Sequence, residues 1–90
     1  MRKKVIGKNL SHGVQDWEIE AACEDAQARV IDYQWVRGEW RSILLGRVRA
    51  SGKYLRVVYT LRHSADCNEL IRPISAVEMT PSERRRYRRK

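Results

Sequence analysis

Two β-forming runs joined by a tight turn limit this chain more than any other feature. Tyr54 to His63 alternates: Leu55, Val57, Tyr59 and Leu61 fall on one face of a strand. Tyr54, Arg56, Val58, Thr60 and Arg62 fall on the other, because successive side chains of a strand point to opposite faces. Trp40 to Arg49 forms the second run, and Ser51-Gly52-Lys53 supplies a hairpin turn between them. A lone hairpin is marginal in water, so its apolar face needs more strands or a helix. Val30 to Val36 is β-branched and aromatic and reads as a strand or an extended lead-in, with Gly38 turning the chain. Glu69 to Val77 reads as a last strand after the polar loop His63 to Asn68. Pro73 lacks a backbone donor, which places it at an edge or a bulge.

Helical signals flank these strands. Asp16 is suited to cap a helix over about 16–27. Trp17, Ile19, Ala22, Cys23 and Ala26 form its inward face, with Glu18, Glu20, Glu24 and Asp25 outward. Near the end, Thr80-Pro81-Ser82-Glu83 is a capping box with proline at the first helical position. That helix runs to about Arg89 and sets Glu83 and Tyr87 on one face. The expected fold is α+β: a three- to four-stranded antiparallel sheet with an acidic N-terminal and a basic C-terminal helix. Ninety residues make one domain, 1–90, with a core small enough that a partner or self-association would help it.

Charge is unevenly placed. The net charge is +8, yet Gln15 to Glu39 holds seven acids against Arg29 and Arg37. Trp40 to Ala65 holds six bases and no acid, and Arg84, Arg85, Arg86, Arg88, Arg89 and Lys90 close the chain. A polyanion is drawn to the C-terminal half and repelled by the N-terminal helix. Arginine outnumbers lysine 14 to 5, which favours forked phosphate contacts and base stacking. No stretch has the length or apolarity of a membrane span or signal peptide. Cys23 and Cys67 are too few for a disulfide scaffold and read as buried, reduced thiols, in keeping with a cytoplasmic protein. No metal constellation, glycine-rich phosphate loop or nucleophile elbow is present, so no cofactor or metal is expected.

The remaining candidates suit RNA chemistry, in which the 2′-hydroxyl is an internal nucleophile. Arg62 and Arg72, on neighbouring strands, are candidates for a phosphate clamp or for cross-strand ion pairs. Glu83 is a candidate base or simply the capping partner of Thr80. Tyr87 can stack a base, donate to phosphate or pack on the sheet. His12 has a side chain able to shuttle protons near neutrality, and His63 is a lesser candidate. Arg56, Arg84, Arg85 and Arg88 are read as backbone-binding residues, and Trp17, Trp35 and Trp40 as core rather than base platforms.

A series of short motifs carries a family resemblance. His12-Gly13-Val14 precedes the acidic helix. Glu39-Trp40-Arg41, Leu45-Gly46 and Arg56-Val57-Val58-Tyr59-Thr60 with Arg62 follow. Ile71-Arg72-Pro73-Ile74-Ser75-Ala76 and Glu83-Arg84-Arg85-Arg86-Tyr87 complete the order. In this order the chain resembles the BrnT-type toxins of bacterial type II toxin–antitoxin modules, small ribonucleases with a RelE-like fold. The resemblance implies a metal-independent RNA endonuclease that inhibits translation. The family's ribonuclease residues would fall on His12, Arg62, Arg72, Glu83, Arg84 or Arg85, and Tyr87. It also implies a small ribbon-helix-helix antitoxin encoded next door, through which alone operator DNA is bound. The sequence departs from the pattern at Ser11 and Val77, where the family often carries lysine and arginine, and in its short basic start. Those departures leave an alternative: a weakened or inactive toxin-fold module that binds nucleic acid or an antitoxin.

Overall fold

The computed structural model describes residues 4–5, 13–63 and 69–89. The chain runs β1 (Lys4–Val5), α1 (Asp16–Glu24), β2 (Arg29–Val36), β3 (Glu39–Val48), β4 (Lys53–His63), β5 (Glu69–Glu78) and α2 (Pro81–Arg88). The strands form one sheet in the order β1-β5-β4-β3-β2. Four of them make the expected antiparallel meander. The two-residue β1 adds a parallel fifth strand beside Leu70 and Ile71 of β5, more than the three or four strands expected. The fold is α+β, with α1 and α2 flanking the meander in sequence.

Turn chemistry sets the hairpins. Arg37 and Gly38 both have positive φ, 51° and 79°, as a two-residue turn matched to strand twist requires. Val30 to Val36 is therefore a full strand, not a lead-in. The β4–β5 ladder shifts register between Val58 and Tyr59, whose partners are Ser75 and Pro73. Ile74 is the extra residue, so the proline sits beside a bulge.

Alternation along β3 and β4 produces two small cores on opposite faces. On one face α1 packs Ile19 and Ala22 against Leu44, Val48, Leu55, Val57 and Tyr59, with Ile71 and Ala76 from β5. Full burial of a residue such as Ile19 contributes about 1.5–3 kcal/mol. On the other face Leu45, Met79 and Tyr87 are buried together, with Ile31 and Tyr54 against them.

α1 differs from its sequence reading in five ways. It ends at Glu24, and Gln15 rather than Asp16 is its N-cap. Glu18 points inward and is 2% exposed, because its carboxylate accepts from the Gln15 N–H at 2.9 Å and from Lys53 Nζ at 3.1 Å. The Gln15 N–H, with help from Lys53 and against the cost of burial, holds this carboxyl below its ordinary range. Trp17 and Ala26 are exposed instead of inward, and Asp25 turns in from the helix end to accept from the Arg47 N–H. Trp35 and Trp40 are exposed as well, so none of the three tryptophans is a core residue.

The helix lies on β3 at Gly46. A Cβ built there would stand 2.2 Å from the Ala22 carbonyl oxygen, a backbone atom that cannot swing aside. Gly46→Ala should therefore destabilise the protein by about 1–3 kcal/mol, as overpacking does. Urea denaturation reads the change, and stability equal to wild type would contradict this seating of α1.

Candidate functional site

The register of β3, β4 and β5 collects arginines at one end of the face that α2 occupies at the other. Ser42 pairs with Tyr59, which sets Glu39 beside Arg62 and Arg41 beside Thr60. Thr60 pairs with Arg72 on its other side. Glu39 becomes the hub: Arg62 Nη2 lies 3.3 Å from Oε1, Arg72 Nη1 3.7 Å from Oε1 and Arg41 Nε 3.8 Å from Oε2. One carboxylate thus holds three guanidinia together and leaves a local surplus of two positive charges. Arg62 and Arg72 stay roughly half exposed and can reach a ligand. Thr60 Oγ1 and Arg41 Nε are buried there with no hydrogen-bond partner, which is unusual for buried polar atoms.

The remaining predicted residues gather around α2. Glu83 closes the capping box: its Oε1 accepts from the Thr80 N–H at 2.9 Å, and Thr80 Oγ1 accepts from the Glu83 N–H at 3.2 Å. Its other oxygen pairs with Arg56 Nε at 3.2 Å. Arg84 and Arg88 lie 4.9 and 5.7 Å from the centre of the Tyr54 ring. Arg85 is exposed on the same helix. Tyr87 is 7% exposed and its hydroxyl donates to Asp25 at 2.5 Å. Burial first, and Asp25 second, push its phenol up to about 12.

The structure therefore brings Arg62 and Arg72 together and separates them from Glu83, Tyr87, Arg84, Arg85 and Arg88. Arg62 and Tyr54 are eight positions apart along β4, about 26 Å at ~3.3 Å per residue. Arg56 stands between, on the same face. His12 lies outside the described residues, as do Ser11 and Cys67. Among the described residues no three His, Cys, Asp or Glu side chains group as metal ligands would, and no helix is long and apolar enough to cross a membrane.

Sequence reasoning missed Glu39 and Tyr54 as parts of this surface, although Glu39 opens one of the quoted motifs and Tyr54 opens the alternating strand. The signal available for Glu39 was its place at the head of β3, opposite the end of β4 that carries Arg62. Val77 is 48% exposed and pairs with Arg56, so the missing family arginine leaves an apolar side chain on the basic face.

The opposite face carries a different surface beyond the reach of α1. Tyr33, Trp35 and Trp40 are 60–63% exposed, and the two indoles meet edge to face at 5.2 Å. With Ser42, Leu61, Gly38, Glu39 and Arg62 they line an open groove of about 550 Å³. An aromatic patch of this kind marks an interaction site more often than solvent-facing surface.

The site is thus a basic, arginine-rich strand face of an α+β fold with an aromatic groove at its margin. The family model for the ribonuclease toxin BrnT of type II toxin–antitoxin systems matches residues 3–83, and the chain belongs to that family. No curated protein matches the chain closely. Membership brings a protein antitoxin as partner.

The Tyr87–Asp25 bond is one of the contacts that seat α2, beside Arg29 Nη1 donating to the Arg86 carbonyl at 2.7 Å. Tyr87→Phe should cost about 1.5–3 kcal/mol at neutral pH, since it removes a hydrogen bond to a charged group, while Asp25 Oδ2 keeps the Arg47 N–H. A folded-state value raised above the unfolded one stabilises below pH about 10 and loses that contribution as pH climbs to about 12. The stability gap between wild type and variant should close over that interval in urea melts, and a constant gap would count against the bond.

Proposed function

We propose that this protein is an RNA endonuclease toxin whose scissile phosphate sits over Arg62 and Arg72. The observation that supports it most is the Glu39-centred group of three arginines in a chain of the BrnT ribonuclease toxin family. The 2′-hydroxyl loses its proton and attacks phosphorus, the bond to the 5′-oxygen of the next nucleotide breaks and that oxygen takes up a proton, leaving a 2′,3′-cyclic phosphate, while the arginines stabilise charge on the non-bridging oxygens as it develops. Glu39 keeps the guanidinia converged, and His12 carries the proton in this reading. No metal ion is needed, because the nucleophile is already part of the substrate. Tyr87 acts through Asp25 by anchoring α2, and Glu83 by positioning Arg56. The cell compartment in this reading is the cytoplasm, where messenger RNA is cut and translation stops.

Purified protein incubated with total RNA in chelator tests this. Wild type should cut, and Arg72→Ala should cut about 10- to 100-fold more slowly, the effect of losing one charge-assisted phosphate contact of about 1.5–3 kcal/mol. No cleavage by wild type would sink the proposal. The exposed Val77 favours a second reading, a binding module with weakened chemistry. Cell growth separates the two, because expression of an active toxin arrests growth and expression of a binder does not.

The aromatic groove suits the antitoxin. α1 beside it carries Asp16, Glu20 and Glu24, which disfavours RNA there. Arg62 lines the groove and also belongs to the phosphate clamp, so a protein seated on Trp35 and Trp40 reaches the clamp and blocks it. A second copy of this chain would bring another +8 and repel. The partner is a ribbon-helix-helix protein in this reading, and DNA is bound only through it. Trp35→Ala with Trp40→Ala should abolish co-purification with the co-expressed product of the neighbouring antitoxin gene and leave RNA cleavage in place. Retained co-purification would exclude this face.

A further inference from the structure

Three guanidinia are gathered around one tyrosine at the far end of the basic face. Arg84, Arg47 and Arg88 lie 4.9, 5.1 and 5.7 Å from the centre of the Tyr54 ring. Among the described residues none of the three is in an ion pair. Arg47 Nε is buried without a hydrogen-bond partner. This differs from the Glu39 end, where a carboxylate offsets part of the charge. Three like charges drawn to one ring repel one another, and the ring quadrupole returns only about 0.5–1 kcal/mol per exposed contact. An arrangement of this kind is completed by an anion. Tyr54 is itself fixed from behind by Tyr87, edge to face at 5.8 Å, so the platform is rigid. The hydrogen bond from Arg88 and the surrounding charge hold its phenol below the ordinary range.

The location identifies the anion. Tyr54, Arg56, Val58, Thr60 and Arg62 share one face of β4, so the trio, Arg56 and the Arg62–Arg72 clamp lie along a single line about 26 Å long at ~3.3 Å per residue. A single phosphate fills one end only. A single-stranded RNA fills both, with its backbone following the strand and its bases free to stack on guanidinium planes.

We propose that Arg47, Arg84 and Arg88 around Tyr54 form a second phosphate-binding seat, which holds single-stranded RNA several nucleotides away from the Arg62–Arg72 clamp. This rests on the reading of the clamp as the site of cleavage. It makes the protein selective for substrate length: a long single strand engages both seats, and a very short one engages only one.

A 2′-O-methyl oligouridine dodecamer is the probe, since it cannot be cut. Its affinity is measured by fluorescence anisotropy over a range of KCl concentrations. Each phosphate contact on a single strand contributes about −0.7 to the log–log salt slope. The Arg47→Gln, Arg84→Gln, Arg88→Gln variant should therefore bind with a slope shallower by about 2. Wild type should prefer the dodecamer over a trimer of the same chemistry by about tenfold or more at low salt, and the variant should lose that preference. If the triple variant does not fold, Arg84→Gln and Arg88→Gln alone should each make the slope shallower by about 0.7. An unchanged slope in folded variants would overturn the proposal. So would a variant that keeps its RNA slope but loses binding to polyglutamate, which would assign the trio to an acidic protein segment. Cleavage of total RNA in chelator is scored separately. Its absence defeats the nuclease reading, whereas an unchanged slope defeats only the second seat.

Discussion

The carboxylate of Asp25 is the junction on which the rest of the structure depends. It leaves the end of α1 and accepts from Gln27 N at 3.1 Å, from Arg47 N at 2.9 Å and from the Tyr87 hydroxyl at 2.5 Å. Those three donors belong to the loop into β2, to β3 and to α2. The Arg47 N–H lies past Arg29, the first residue of β2, which pairs with Leu45, so Asp25 serves as its acceptor where that ladder has ended. The donors outweigh the cost of burial and hold the carboxyl below its ordinary range. One residue therefore ties helices that pack on opposite faces of the sheet, and a charge placed there without all three donors would be costly.

The strand alternation turns this scaffold into two working surfaces. The face that carries Arg41, Arg56, Arg62 and Arg72 also takes α2, whose arginines extend the positive field. The other face takes α1, with its acids, and beyond the helix it exposes Tyr33, Trp35 and Trp40. In the proposed function a polyanion and a protein partner take different sides. The two sides meet at Glu39 and Arg62, which belong to the clamp and also line the aromatic groove. In a toxin–antitoxin pair that shared margin is where a partner seated on one face can close the other.

Much of the fold was legible because its signals are local. The alternation of Leu55, Val57 and Tyr59, the Gly38 turn and the Thr80–Glu83 capping box each follow from residues a few positions apart. Pro73 could be placed at a bulge because a missing N–H has few places in a ladder. The inward turn of Glu18 and Asp25 was not legible. Both look like solvated helix acids until Lys53, Arg47 and Tyr87 arrive from distant elements. The tryptophans on the strands misled for a related reason: an aromatic residue at strand spacing reads as core, but α1 seats at the Gly46–Lys53 end of the sheet and leaves Trp35 and Trp40 uncovered.

The sequence by itself determined the elements, the charge segregation and the arginines available to an anion. It could do so because periodicity and composition are properties of neighbouring residues. Only the tertiary structure decided which of those arginines act together. Register across β3, β4 and β5 joined Arg62 and Arg72 at Glu39, and the packing of α2 drew Arg84 and Arg88 to Tyr54 about 26 Å away along the strand. It also put Tyr87 behind the surface, bonded to Asp25, instead of on it. Those choices depend on contacts between residues distant in sequence, from 23 positions for Arg62 and Glu39 to 62 for Tyr87 and Asp25, which no local pattern encodes.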